Sequence, residues 1–342
     1  MGILGGSKDF FGIDIGASSV RLVQLKHSAG RYNLVSYGGV NIPIGLSQSD
    51  SPTDMKQLSE IIKKLVKDYK VSTKNVVAAL PGSDTFTAIV KIPQMSSSDI
   101  GKAVKWQVEQ NIPLKIDEIR YDWQMINPAT GDSREMTVMI FAAPNDKINR
   151  LMKILEGADL SVLFIESSSV ALSRSLGQTQ GLKAMVVDIG AMTTEIAIVQ
   201  DEIIFHSRSL PVAGYAFTRA MSQNLGLDLN QAEQFKRKFG LAKEKLEGEI
   251  LKNLQPLLNG IVDEIKRSMK YYQEQFNDSV EKIILSGGSA RLIGLTAYLS
   301  EILETDIQIG APWADISYPA SIQQSIMDTF TEYSTAVGLA KR

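Results

Sequence analysis

The chain has 342 residues, 44% of them apolar and 22% charged, with a net charge of −2. Its length exceeds what one core usually serves, so two or more domains are expected, and the faintly acidic balance argues against a nucleic-acid-binding footprint. There is no cysteine, which excludes disulfides, thiolate zinc sites and thiol nucleophiles. Only His27 and His206 exist, each read as an exposed strand or turn residue, so neither a His-rich metal site nor a His-based triad is expected. No apolar stretch approaches the roughly 20 residues needed to span a bilayer. The Gly-rich start, Met1 to Lys8, has no signal-peptide core and a weak myristoylation pattern. The expectation is a soluble cytoplasmic chain that reaches a membrane only through a partner.

In chain order, Phe10 to Ile15, Val20 to Leu25 and Tyr32 to Tyr37 read as three strands separated by turns at Gly16-Ala17-Ser18-Ser19 and Ser28-Ala29-Gly30. Thr53 to Lys70 predicts an amphipathic helix with Leu58, Ile61, Ile62, Leu65 and Val66 on one face. Its lysines, Lys56, Lys63, Lys64 and Lys67, read as a solvated face rather than a docking patch. Strands follow at Asn75 to Leu80 and Thr85 to Ile92. A helix then starts at Ser96-Ser97-Ser98 and is stopped by Pro113. Tyr121 to Ile126 and Glu135 to Ala142 predict a hairpin around Thr130-Gly131-Asp132. A helix over Asp146 to Gly157 and a strand over Ser161 to Ile165 come next, so 83–160 reads as an α/β unit of its own.

Ala184 to Val187 opens a second strand-turn-strand, followed by a third strand over Glu202 to Arg208. A helix capped by Asp228 and closed by Gly240 comes next. A longer one carries Leu246, Ile250, Leu254, Leu257, Ile261, Ile265 and Met269, with Pro256 expected to kink or interrupt it. Lys282 to Leu285 is a strand running into Ser286-Gly287-Gly288-Ser289. A helix is expected from Arg291, and the chain ends in a short helix over Thr335 to Lys341.

Residues 10–25 align with 184–199, and Asp-Ile-Gly-Ala is identical in both. One duplication at half the chain length implies two domains of one topology rather than a solenoid. The repeated turn suits phosphate. Glycine permits close backbone approach, successive N–H groups form an anion nest, and Ser18, Ser19, Thr193 and Thr194 add hydroxyls. Asp14 and Asp188 would hold a hydrated Mg2+, which prefers carboxylates and keeps several waters. Candidate nucleotide-binding residues are therefore Gly16, Ala17, Ser18, Ser19 and Arg21 in the first half, and Gly190, Ala191, Met192, Thr193 and Thr194 in the second. A third turn, with Gly287, Gly288, Ser289 and Arg291, ends a strand and suits adenosine packed against backbone. Glu233 and Lys236, one helical turn apart, would reach ribose or base.

The order of these motifs resembles the superfamily of actin, sugar kinases and heat-shock ATPases. Phe11 to Gly16 is similar to its phosphate-1 motif, Glu166 to Leu172 to connect-1, Asp188 to Thr194 to phosphate-2, Leu285 to Ala290 to adenosine, and Ser334 to Ala340 to connect-2. Within it, Asp14 to Val23, Gln110-Asn111-Ile112-Pro113-Leu114 with Ile116-Asp117-Glu118, and Glu264 to Tyr272 resemble the PilM family of type IV pilus assembly proteins, relatives of FtsA. The resemblance implies an α/β, actin-like ATPase fold of two duplicated ribonuclease-H-like domains with an inserted 1C subdomain. The first domain is placed at 9–82, completed by 161–183 and 320–342. The 1C subdomain is placed at 83–160, and the second domain at 184–319 with its 2B part at about 223–279.

The resemblance also implies ATP or ADP with Mg2+ as ligands. As partner it implies the cytoplasmic N-terminal peptide of a PilN-like inner-membrane protein, held in a groove between the first domain and 1C. The strand Thr85 to Ile92 is one candidate wall of that groove. Glu166 would position the attacking water. Ala191-Met192 stands where hydrolysing members carry Gly-Gly, so ATP binding with slow or no hydrolysis is expected. Three alternatives stay open: a cytomotive filament protein, a type II secretion platform domain and a small-molecule kinase of the same superfamily. The end at Arg342, directly after connect-2, is expected to disfavour the FtsA-like reading with its terminal membrane helix.

Overall fold

Short apolar runs broken by glycine turns build two sheets of the same design. The computed structural model describes residues 9–127, 135–241 and 248–342. The first sheet uses β1 (Phe11–Ile15), β2 (Ser19–Ser28), β3 (Arg31–Asn41), β4 (Asn75–Leu80), β8 (Ser161–Ser167) and the short β14 (Ile316–Ser317). Its order is β14-β3-β2-β1-β4-β8. The second uses β9 (Ala184–Ile189), β10 (Thr194–Gln200), β11 (Ile203–Leu210), β12 (Lys282–Ser286) and β13 (Asp306–Ile309), in the order β11-β10-β9-β12-β13. In each, the first three strands form an antiparallel meander and the next two join parallel. The duplication read from one tetrapeptide therefore extends to the whole strand order.

The first sheet buries Phe11, Ile13, Val20 and Leu22 against α1 (Pro52–Asp68) and α3 (Asn145–Gly157). Pro52 at the first helical position suits α1, where a missing N–H costs nothing. Ser59 of α1 donates to the Ile154 carbonyl of α3 at 2.8 Å. In the second half, one cluster runs from Val187 and Ile196 of the sheet through Phe217 of α5 (Gly214–Leu225), Ala232 of α6 (Leu229–Phe239) and Leu254 and Ile265 of α7 (Glu249–Phe276). The residues expected as a 2B part thus share the sheet's core. Asp228 and Gln231 close a reciprocal capping box on α6, with the Gln231 N–H donating to Asp228 Oδ1 at 2.9 Å. Helix α7 continues through Pro256, where a kink or an interruption was expected. Full burial of Leu254 and Leu258 on either side holds it together.

A third sheet, β5-β7-β6, holds the inserted unit: β5 (Phe86–Pro93), β7 (Glu135–Pro144) and β6 (Ile119–Asn127), with α2 (Ser97–Asn111) on one face. The sequence placed 83–160 in this unit, but its own core ends within β7, and α3 packs on α1 in the first domain. The other face of the insert, through Met139, Phe141 and Ile89, packs with Leu172 of α4 (Ser168–Leu176) and with Ala197 and Ile204 of the second sheet. The Thr130-Gly131-Asp132 turn, Leu246 and Met1 to Lys8 lie outside the described residues.

Helix α8 (Leu295–Leu303) precedes β13, and the chain then returns to the first domain. It does so earlier than residue 320, because Ile316 already pairs with Tyr32 and Trp313 packs with Val23. Helices α9 (Gln323–Thr329) and α10 (Ser334–Ala340) finish the chain. Helix α10 presses on β1 and crosses α4. A Cβ on Gly12 would lie 2.5 Å from the Ala336 carbonyl, and one on Gly338 would overlap the Ala171 carbonyl. His206, expected to be exposed, is buried. Its Nε2 lies 3.1 Å from Ser268 Oγ, its ring packs on Tyr271, and burial pulls its pKa down to about 4. Among the described residues no helix is long and apolar enough to cross a membrane.

Candidate functional site

The two Asp-Ile-Gly-Ala turns close in the same way. The Gly16 N–H donates to the Ser19 carbonyl at 2.9 Å, and the Gly190 N–H to the Thr193 carbonyl at 3.0 Å. Each turn follows the carboxyl end of the sheet's central strand, the end where open α/β sheets take ligands. Ala17, Ser18, Ser19, Ala191, Met192 and Thr193 remain partly exposed. Asp14 stands opposite Arg21 on β2, and Asp188 opposite Glu195 on β10. The repeat therefore carries opposite charges at one matched position.

The second turn is the hub. The Gly190 carbonyl accepts from the Gly214 N–H at 3.1 Å and from Ser289 Oγ at 3.4 Å. Lys236 Nζ donates to the Gly214 carbonyl and to Thr218 Oγ1, both at 2.9 Å, and pairs with Glu233 at 2.7 Å. A Cβ added to Gly214 would lie 2.6 Å from Ser289 Oγ and 3.5 Å from Lys236 Nζ. The Gly190 turn, the Ser286-to-Ser289 turn and the Glu233–Lys236 pair thus meet at one place. Burial lowers the Lys236 pKa, and Glu233 opposes that shift. Burial works to raise the Glu233 carboxyl, but Lys236, Arg237 and Thr218 together hold it down at about 2.

Gly287 makes that meeting possible. Its φ of 84° and ψ of 172° lie in a region essentially confined to glycine, and a Cβ there would stand 2.5 Å from the Ile189 carbonyl. Gly288 is less confined, its nearest neighbour in the same test being Glu332 Cγ at 3.9 Å.

Four expected site residues are committed elsewhere. Thr194 is fully buried and donates to the Val212 carbonyl at 2.7 Å, so its hydroxyl fixes β10 instead of facing a ligand. Arg21 pairs with Glu332 and lies over the Tyr333 ring. Arg291 donates to the Asp328 carbonyl and lies over Phe330. Glu166, expected to position water, accepts from Arg174 at 2.8 and 3.1 Å and from Arg342 at 2.6 Å. Its carboxylate anchors α4 and the chain end to β8.

Glu195 was missed by the sequence reading. It is 6% exposed. Its Oε1 accepts from the Gly82 N–H at 2.7 Å and its Oε2 from Ser168 Oγ at 2.5 Å. Burial raises its pKa against those two bonds. Asp14 and Asp188 lie near the ends of their strands β1 and β9, beside the two turns, and are partly buried. Burial first and the Glu195 charge second raise both carboxyls to about 7, with Arg21 opposing at Asp14 and a hydrogen bond from Ser286 opposing at Asp188. The only sequence signal for Glu195 was a charged residue in an otherwise apolar strand at the position matching Arg21.

Three acids sharing one enclosed region fit a cation, since they destabilise one another without one. Among the described residues no group of three could ligate a metal directly. Asp14 and Asp188 are the carboxylates that would face such an ion through its own waters, the way Mg2+ is commonly held.

Two sheets of one strand order, joined across a cleft by crossing helices and lined by duplicated turns, define the actin-like fold. Solved structures agree. MreB5 of Spiroplasma citri bound to AMPPNP superposes over 97% of this chain and 95% of its own, with a TM-score of 0.56 at 13% identity. A chain of the PilM–PilN type IV pilus biogenesis complex matches far better, at TM-score 0.86 and 25% identity over 98% of both chains. The family model for type IV pilus assembly protein PilM matches residues 12–342, and the chain belongs to that family. The cell division protein FtsA of Escherichia coli K12 is 24% identical over 252 residues, 65% of this chain. The match spans 59% of that relative's length, short of two thirds.

Proposed function

We propose that the chain is a nucleotide-binding scaffold of the type IV pilus machine, loaded with ATP or ADP, that holds the cytoplasmic N-terminal tail of an inner-membrane PilN protein at its inserted unit. The observation that carries the nucleotide half is the meeting of the Gly190 turn, Ser289 and Lys236 across from a second turn of the same build. Backbone N–H groups of the two turns would receive the phosphates from opposite sides. The Gly287-Gly288 turn would let adenosine approach the backbone, and Lys236, whose ammonium is spent on Gly214, Thr218 and Glu233, would hold that wall of the site together. Asp14 and Asp188 would hold the waters of a Mg2+, which would supply charge neutralisation on the phosphates. The pairing of Glu166 with Arg174 and the Ala191-Met192 sequence of the second turn are the observations that support slow turnover and a holding role.

The partner half is supported by the match to the PilM–PilN complex over 98% of both chains. It is supported too by β5, an edge strand of the inserted sheet that offers backbone groups to an added peptide strand. Fluorescence anisotropy of a labelled PilN N-terminal peptide, with and without Mg·ATP, tests it. Saturable binding in at least one state is expected, and none in either state contradicts the partner assignment.

A further inference from the structure

The root of the inserted unit is tied to the nucleotide cleft by one side chain. Glu195 belongs to the second sheet, yet both of its oxygens are held by the first half. The Gly82 N–H lies in the Pro81-to-Thr85 connection that leaves β4 for β5, and Ser168 opens α4, the helix that crosses between the halves. A Cβ on Gly82 would stand 3.2 Å from Glu195 Cδ, so the connection lies flat on the carboxylate. The far face of the insert also packs on the second sheet through Met139 and Ile204. The insert is thus covalently part of the first domain and packed on the second. The polar contact where the two meet is made by a residue that pairs across the strands with Asp188 and whose charge reaches both Asp14 and Asp188. The turn does not require this acid, since its counterpart in the first half is Arg21.

We infer that Glu195 is a positioning residue that couples the contents of the cleft to the placement of the inserted unit. Each carboxylate oxygen spends one lone pair on the first half and keeps another free. When the cleft is loaded, Glu195 would turn the charge on these oxygens toward a hydrated cation, weakening what it shares with the Gly82 amide and so loosening the insert's root. By reciprocity, a ligand that reseats the insert alters nucleotide affinity by the same factor.

This rests on the nucleotide and partner assignments above, and its test separates the three. Hydrogen exchange in peptides covering residues 81–85 reads the latch directly. Mg·ATP should speed exchange there in the wild type, and Glu195→Ala should exchange fast with or without nucleotide. In anisotropy titrations, wild-type affinity for the PilN peptide should change about fivefold or more on adding Mg·ATP, the lower end of usual coupling. In Glu195→Ala the change, read as the ratio of peptide affinities with and without saturating Mg·ATP, should fall below about twofold. Glu195→Gln, which keeps an acceptor for Gly82 but loses the charge, should retain slow exchange and respond weakly to Mg·ATP. Should Glu195→Ala fail to fold, Ser168→Ala, which frees one oxygen, takes its place with a partial loss of coupling. Unchanged exchange on loading, or coupling retained in every variant, overturns the latch. Failure of the wild type to bind nucleotide or peptide overturns the underlying assignments instead.

Discussion

Replacing Gly287 by alanine tests how the adenosine turn is built. At φ 84° and ψ 172°, an alanine carries strain of about 1–3 kcal/mol. Its methyl would also stand 2.5 Å from the Ile189 carbonyl oxygen and 2.7 Å from its carbon, both backbone atoms of the strand beneath the second phosphate turn. The free protein relieves this by lifting the turn off β9, and the nucleotide must press it back. The strain then appears as lost affinity, about 5- to 150-fold for 1–3 kcal/mol. Gly288→Ala is the matched control. Its methyl meets nothing nearer than Glu332 Cγ at 3.9 Å, and Gly288 has no left-handed φ, so affinity should stay within about twofold by the same arithmetic. Titration of a fluorescent ATP analogue measures both. Equal losses in the two variants, or wild-type affinity in Gly287→Ala, would refute the close approach as the basis of the site.

Glu166→Gln should cost about 3 kcal/mol in denaturant unfolding, because Arg174 and Arg342 lose their shared partner. It should leave ATP affinity unchanged, which a water-positioning role in a weak ATPase would also allow, so single-turnover phosphate release must be unchanged as well. Gly338→Ala, whose methyl overlaps the Ala171 carbonyl where α10 crosses α4, should destabilise by about 3 kcal/mol, the upper end for overpacking, read as a lower denaturant midpoint. Without nucleotide, the wild type carries Asp188 with a carboxyl raised to about 7. A raised acid favours the folded state while protonated and loses that contribution as pH climbs from about 4 to 7. Asp188→Asn lacks the titration, so its melting temperature relative to wild type should rise between pH 5 and pH 8, and a constant difference would contradict the shared acidic cleft.

The repeat was legible because a phosphate turn requires a strand on each side, and identical tetrapeptides imposed the same strand order twice. Boundaries set by local chemistry, such as the Asp228 cap, the Gly240 stop and β4 ending at Pro81, also followed from short spacing. What the sequence hid depends on partners far away in the chain. Glu195 acquires its role from Gly82 and Ser168, and periodicity says nothing of either. The amphipathic pattern of α3 shows which face is buried but not that α1 covers it. Arg21 and Thr194 carry the right chemistry for a phosphate site, yet Glu332 and the Val212 carbonyl claim them first. Pro256 stays inside α7 because burial of Leu254 and Leu258 outweighs a local break. His206 is buried because β11 faces α7, a contact between elements separated by two helices.

Isothermal titration of the chain with ATP in the presence of Mg2+ tests the central claim most directly, because it counts nucleotides against chains. One ATP per chain is predicted, with binding weakened strongly in Gly287→Ala and retained in Gly288→Ala. No saturable binding, or undiminished one-to-one binding in a variant with alanine at both Gly287 and Lys236, would contradict a nucleotide clamped between the two halves.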